Sequence, residues 1–463
     1  MTVEERIRGR KIGIVGMARS GVAAALLADK LGGRPFVSDS GSAAALSDQL
    51  HKLKNANIPF ETDGHSNYLL ECDYIIISPG IPLTSDIAQR IRKKGLPIFS
   101  EIEFASWVCR GQIVAITGSN GKTTTTTLIG EIFKAAGWKT FVCGNIGLPF
   151  AEVATEVPSD GVAVVEVSNY QLETIADFKP QVAMILNLTE DHLERHGSFE
   201  EYKLAKYRIT ENQFSTDYLL LNWDDANTVS TEIKTLAKQL FFSIEDTDNT
   251  ASFVRGGWLY VRKDNREEQI IACDDILIPG PHNLQNAAAA ATATSLLGVN
   301  AASISHVLRT FSGVEHRLER VDSVAGINFV NDSKATNVDS VCYALQSVNP
   351  PLYLIAGGRE KGASYKPLIQ YGKGKIKEIV VIGEAQEKLL QELGSEFHVR
   401  FADSLEEAVR HCFEKAYPGE TVLLSPACAS FDMFDNFEHR GRVFKTAIAE
   451  LRNGKKNHKS TTI

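Results

Sequence analysis

Seven cysteines are scattered through the 463 residues without a single C-x-x-C pair. Neither a disulfide framework nor a cysteine zinc site is therefore indicated, and most of the thiols read as core residues of a reducing cytoplasm. No uncharged apolar run is long enough to span a bilayer, which argues against membrane insertion. No basic stripe is present to grip a nucleic acid, and the net charge is only −8. The opening Met1-Thr-Val-Glu-Glu-Arg6 lacks the apolar core of a secretion signal. A cytoplasmic monomer is expected. One hydrophobic core rarely serves a chain this long, so two to three domains are expected.

The most informative stretch is Ala115-Ile-Thr-Gly-Ser-Asn-Gly-Lys-Thr-Thr-Thr125. The apolar run from Gln112 to Ile116 reads as a buried strand. Gly118 and Gly121 allow a tight turn, and Lys122 opens a helix. A strand, a glycine turn and a helix N-terminus form a cradle for anions, because backbone N–H groups and the helix dipole face the same point. Lys122 is expected to reach the outer phosphates of a nucleoside triphosphate, with the Thr123 hydroxyl on a magnesium ion. The spacing is shorter than in the usual phosphate loop, with two residues between the glycines instead of four.

Ahead of the cradle, strands ending at Gly16, at Ser38-Asp39 and in Tyr74-Ile-Ile-Ile-Ser-Pro-Gly80 alternate with helices. This alternation predicts a parallel sheet with its ligand at the carboxyl ends. Gly16-x-x-x-x-Gly21 has the makings of a dinucleotide turn, with Arg19 and Ser20 beside it and Asp39 where a ribose-reading carboxylate belongs. Tight strand-to-helix packing without a ligand explains the same glycines. A boundary falls near Arg110.

Beyond the cradle, Val162-Ala-Val-Val-Glu-Val-Ser168 is a strand carrying one carboxylate, Glu166. Such a group is costly to desolvate unless a cation or hydrogen bonds compensate it, and magnesium beside a triphosphate is the natural cation. A capping role for Glu166 is the other reading. The strand Val182 to Leu188 delivers Thr189-Glu-Asp-His192 to the same edge, so His192 is a candidate for a second metal or for the reacting carboxylate. Phe199 to Phe214 reads as a helix carrying Lys203, Lys206 and Arg208, and nothing in the residues themselves singles out Lys206. Short strands from Phe241 to Ile278 suggest a small sheet packed against the main one. Asn283 and Asn286 share a helix face and could hydrogen-bond a purine or hold a loop. From Ser312 a new unit begins, with Asn331-Asp-Ser-Lys-Ala-Thr-Asn337 after a strand and further strands at Leu352, Ile379 and Thr421. Cys428 has no histidine arranged for it and reads as inert. The Lys- and Asn-rich tail past Leu451 reads as disordered.

TGSNGKTTT, EVSNYQLE, NLTEDHLERHG, GPHNLQNAAAA, HRLE, NDSKATN and SPACASFDMFDNFEHRG stand in an order that resembles the Mur ligases from Gly13 to Phe444. The resemblance implies an α/β chain of three domains. These are a Rossmann-like UDP-binding domain over 1–110, a P-loop-type ATPase domain with a small added β-sheet over 111–312, and a C-terminal Rossmann-like amino-acid-binding domain over 313–463. It implies ATP-dependent addition of D-glutamate to UDP-N-acetylmuramoyl-L-alanine through an acyl phosphate. Two magnesium ions, replaceable by manganese, are implied with it.

By the same resemblance Gly118, Asn120, Gly121, Lys122, Thr123, Thr124, Asn283, Arg317 and Asp332 serve ATP. Thr123 and Glu166 hold one ion and His192 the other, beside a carbamylated Lys206. Arg19, Ser20, Asp39, Ser78, Asn145 and His192 serve the UDP substrate; Lys334, Thr336, Lys361, Ser430 and Phe437 serve D-glutamate. The chain departs from the family pattern in having Glu360 where aspartate is common, and Ser40-Gly41 where some relatives place an arginine. The absence of D-N-P-R argues against the diaminopimelate- and lysine-adding branches.

Overall fold

A computed structural model describes residues 2–189, 197–230, 233–263, 266–360 and 362–459, and side chains up to residue 453. His192 and Lys361 lie outside the described residues. Among the described residues, strands assemble into sheets of five, nine and six.

The first sheet is parallel throughout, in the order Phe60–Glu61, Arg34–Ser38, Lys11–Val15, Tyr74–Ile77, Ile98–Ser100. This 3-2-1-4-5 order is that of a Rossmann-like sheet. The apolar runs behind its central strands are what a sheet covered on both faces requires.

In the nine-stranded sheet the cradle strand Gln112–Thr117 lies between Val162–Glu166 and Val182–Ile185, parallel to both. Thr140–Gly144 closes one side; Tyr218–Asn222 and Lys238–Phe242 extend the other. The short strands expected as a small sheet packed on the main one are joined to it edge to edge instead. Thr250–Arg255 pairs with Lys238–Phe242, and the antiparallel strands Trp258–Lys263 and Arg266–Ala272 follow. The ladder continues because Gly256 and Gly257, with φ of 58° and 78°, supply the two left-handed positions of a tight hairpin.

The third sheet runs Glu319–Val324, Ile327–Asn331, Thr421–Leu424, Leu352–Gly357, Ile376–Ile382, Val399–Phe401, parallel except for the first strand. That antiparallel edge arises from a hairpin at Ala325-Gly326, again with both φ positive. The helix Phe437–Lys459 runs into the polar tail expected to be disordered; its lysines and arginines are good helix formers. The helix expected over 199–214 is shorter, Phe199–Tyr207, and tightens into a 3-10 turn at Arg208–Thr210.

The chain packs as two units, 1–277 with 283–310, and 278–282 with 311–463. Within the first unit, the five- and nine-stranded sheets share one hydrophobic core that joins Ile14, Ile76, Ile102 and Phe104 to Ile113, Phe150 and Val165. Two buried carboxylates on the helix Glu101–Ser106 fasten the join. Glu103 accepts four hydrogen bonds, from the Trp107 indole (2.7 Å) and from the N–H groups of Ala176 (3.0 Å), Asp177 (2.9 Å) and Phe178 (2.7 Å). Glu101 Oε1 accepts from Ala151 N–H at 2.5 Å, at the start of the helix Phe150–Val153.

Burial pushes the Glu101 carboxyl up to about 7, against the pull of the Ala151 and Phe150 N–H groups. A carboxyl whose folded pKa lies above its unfolded value keeps its proton longer in the native state, so stability falls as pH rises between those values. Glu101→Gln is expected to flatten the dependence of unfolding midpoint on pH from about 5 to about 8, gaining on the parent at the alkaline end. Parallel curves for the two proteins in thermal scans would contradict this.

Candidate active site

The cradle forms where the strand Gln112–Thr117 ends and the helix Lys122–Ala135 begins. Gly121 is the N-cap, at φ +81°, and a Cβ there would lie 2.5 Å from Asn286 Oδ1. Gly118, at φ +148°, passes so close to the next strand's continuation that a Cβ would sit 3.1 Å from Leu186 Cβ and 3.2 Å from its nitrogen. Both glycines are therefore required by conformation and by space. The Lys122 ammonium folds over the loop onto the carbonyls of Gly118 (2.7 Å) and Ser119 (2.8 Å).

Lys206 comes to the same place. It is only 1% exposed, and its ammonium donates to Gly118 O at 3.1 Å and Thr117 Oγ1 at 3.4 Å, 4.6 Å above the Tyr202 ring. Two lysines thus converge on one backbone carbonyl. Ser119 Oγ is bonded to the Tyr202 hydroxyl (2.9 Å) and to Thr189 O (3.0 Å), so the helix Phe199–Tyr207 grips the loop at successive turns through Tyr202 and Lys206.

Glu166 ends the strand beside the cradle, in register with Ile116. It is 2% exposed; Oε1 accepts from Asn145 Nδ2 at 3.0 Å, and Oε2 is buried with no hydrogen-bond partner among the described residues. A buried carboxylate oxygen left over at the rim, next to the strand that leads to Thr123, fits a divalent cation of the oxygen-seeking kind. Asn283 and Asn286 are buried on one helix face, and Asn286 reaches Thr125 Oγ1 at 3.2 Å and Asn283 Oδ1 at 3.2 Å. Asn286 therefore holds the start of the cradle helix.

On the five-stranded sheet, Gly16 lies at φ +100° and a Cβ there would meet Ser78 Oγ at 2.6 Å. Ser78 donates to Gly16 O at 3.2 Å. Arg19 and Ser20 open the helix Arg19–Lys30, whose N-cap Ala18 offers no side chain to the first N–H groups, leaving that turn open to an anion. Asp39 lies at the same rim. Its oxygens accept from Met17 N–H (2.6 Å) and Gly41 N–H (2.7 Å), so it ties the glycine loop to its own turn.

In the second unit, Asp332 is buried and accepts from Ser425 Oγ (2.8 Å) and Leu318 N–H (3.2 Å). Desolvation raises its carboxyl to about 7, with Arg317 pulling the other way. Arg317 Nε is itself buried without a hydrogen-bond partner among the described residues. Lys334 holds its ammonium 5.4 Å over the Phe437 ring, and Thr336 follows two residues on, its N–H bonded to Lys334 O. Ser430 is buried at the end of the loop after Thr421–Leu424. Glu360 pairs with Lys388.

The clamp on this region is Arg440, the arginine near the end of the SPACASFDMFDNFEHRG stretch, to which sequence reasoning assigned no role. It is fully buried and donates to Ser333 Oγ (3.0 Å), Ser333 O (2.8 Å), Cys428 O (3.2 Å) and Ala429 O (3.4 Å). It thereby ties the NDSKATN turn to the SPACAS loop, and burial lowers its pKa to about 10. Cys428 is buried beside the Tyr365 hydroxyl at 3.0 Å, in keeping with an inert thiol.

Sequence profiles of the MurD N-terminal domain, the Mur ligase middle domain and the Mur ligase glutamate ligase domain match residues 11–87, 116–294 and 316–428. The UDP-N-acetylmuramoylalanine–D-glutamate ligase of Thermoanaerobacter sp. (strain X514) is 42% identical over 451 residues, 96% of this chain and 99% of its own. The enzyme of that name from Koribacter versatilis (strain Ellin345) is 41% identical over 446 residues, covering 96% and 98%. Among solved structures, UDP-N-acetylmuramate-alanine ligase from Thermotoga maritima superposes with a TM-score of 0.62 at 19% identity, over 95% of this chain and 99% of that one. A pseudomurein peptide ligase type C from Methanothermus fervidus gives 0.59 at 20% identity, over 96% and 100%. These two likenesses concern the fold alone. The likeness to curated relatives extends along nearly the whole sequence, and on that ground the chain belongs to the Mur ligase family.

Proposed function

We propose that this protein is an ATP-dependent ligase that joins D-glutamate to UDP-N-acetylmuramoyl-L-alanine, a cytoplasmic step of peptidoglycan synthesis, and that it works as a monomer. The observation that carries the reading is the near-full-length likeness to D-glutamate ligases of that name. The cradle geometry supports it. The domain division at 110 and 312 goes with it: UDP substrate on the five-stranded sheet's rim, ATP on the nine-stranded sheet, D-glutamate on the six-stranded sheet.

The reaction begins with a carboxylate oxygen of the alanine attacking the γ-phosphorus; the bond to ADP breaks, leaving an acyl phosphate. The D-glutamate amine then attacks the carbonyl carbon, loses a proton, and phosphate departs with the C–O bond electrons. In the first step two anions must meet, so cationic charge has to be fixed where they react. Lys122, on its glycine loop at a helix N-terminus, would supply it. Thr123 and Glu166, with His192, would hold magnesium or manganese, which when bound neutralises phosphate charge. Carbamylation of Lys206 by carbon dioxide, with loss of ammonium protons, would turn a buried cation into an anion able to hold the second ion. In the last domain Lys334 and Lys361 would offer cations, and Thr336 and Ser430 hydroxyls, to a dicarboxylic amino acid, with the Phe437 ring beside Lys334. Asn145 and Ser78, with Arg19, Ser20 and Asp39, serve the UDP substrate, and Arg317 and Asp332 serve ATP.

Phosphate release is expected to require Mg-ATP, UDP-N-acetylmuramoyl-L-alanine and D-glutamate together; undiminished release without D-glutamate would refute a ligase. Lys122→Ala is expected to weaken ATP binding by about tenfold or more while UDP-substrate affinity in calorimetry stays unchanged. Lys206→Ala should abolish turnover, and added bicarbonate should not restore it; near-normal turnover would take Lys206 out of the active site.

A further inference from the structure

Asn187 is two residues beyond the strand Val182–Ile185, which flanks the cradle strand with Thr117 opposite Ile185. Backbone pairing persists for two more bonds, Leu186 N–H to Thr117 O (3.0 Å) and Ser119 N–H to Asn187 O (3.0 Å). There the loop turns away. The Asn187 side chain takes over the pairing: Oδ1 accepts from Asn120 N–H at 2.7 Å and Nδ2 donates to Asn120 O at 3.0 Å. One carboxamide thus serves both polar groups of a single loop residue, as a neighbouring strand would. Asparagine alone has the acceptor and the donor at this reach; aspartate lacks the donor, and leucine lacks both.

The second bond has a directional effect. Across a trans peptide the carbonyl and the following N–H point to opposite sides. Pinning Asn120 O to Asn187 therefore turns Gly121 N–H away from the 187–189 segment, at the residue that caps the cradle helix. Were this peptide to rotate, an electronegative oxygen would replace a donor in the lining of an anion site.

We propose that Asn187 is a positioning residue for the nucleotide: its carboxamide sets the Asn120–Gly121 peptide so that Gly121 N–H serves the phosphates. The inference rests on the proposed ATP site. Its test compares the unaltered enzyme with Asn187→Ala and Asn187→Asp, by calorimetry with a non-hydrolysable Mg-ATP analogue and by KM for each of the three substrates.

Both variants are expected to raise the nucleotide Kd and KM by about tenfold, the value of one or two neutral hydrogen bonds, with KM for the UDP substrate and D-glutamate unmoved. Unchanged nucleotide affinity in Asn187→Ala would overturn the inference. So would an equal loss for all three substrates together with a lowered unfolding midpoint, the mark of a merely structural residue. Failure of the unaltered enzyme to bind the analogue would instead overturn the ATP site, and this inference with it.

Discussion

The molecule's chemistry depends on backbone coming closer to backbone than any side chain would permit. At Gly118 the turn leaves the sheet with Leu186 pressed against it, and this contact exposes a carbonyl on which Lys122 and Lys206 both converge. A Cβ at that point would lift the turn off its neighbour and scatter the two ammoniums. The helix that follows, the hydroxyl of Thr123 and the carboxylate of Glu166 take their places from the same strand ends. Parallel strands make this possible, because they bring every carboxyl end to one edge.

Among the described residues, buried charged groups differ in how completely hydrogen bonds engage them. Arg440 and Glu103 are surrounded by partners, backbone groups for the most part; they hold loops and have little capacity left for a ligand. Glu166 has one oxygen engaged and one over. An unfinished shell of that sort is expensive inside a protein, which is reason to look for a cation at the rim. Glu101 is also incompletely bonded, but there burial favours the neutral acid and resolves the cost differently.

Much of the architecture was legible because parallel, doubly covered strands are written as unbroken apolar runs, and Lys11–Val15, Gln112–Thr117 and Leu352–Gly357 all announce themselves this way. Phe60–Glu61 is too short to carry a pattern, and Glu319–Val324 is a half-exposed edge strand with charges in it. The cradle was readable from its glycines and lysine. Lys206 was not readable from local chemistry, since Lys203 and Arg208 look the same in sequence. They differ in what each meets once packed: Lys206 is buried against Gly118 and Tyr202, Lys203 pairs with Glu200, and Arg208 lies in the 3-10 turn past the helix end. Arg440 stands within a quoted motif, but its role as a clamp comes only from the packing that brings Ser333 and Cys428 to it. Asp39 has a further part that its residue type does not announce: it ties two backbone amides of its own rim.

The paired acids on the helix Glu101–Ser106 bear on how this protein can be divided. Glu103 completes the turn at Ala176–Phe178, and Glu101 receives Ala151. A cut near residue 110 would leave the leading fragment with two acidic side chains robbed of their backbone donors and the trailing one with bare amides and an uncovered apolar face. The first hundred residues are thus a distinct sheet but not an excisable module.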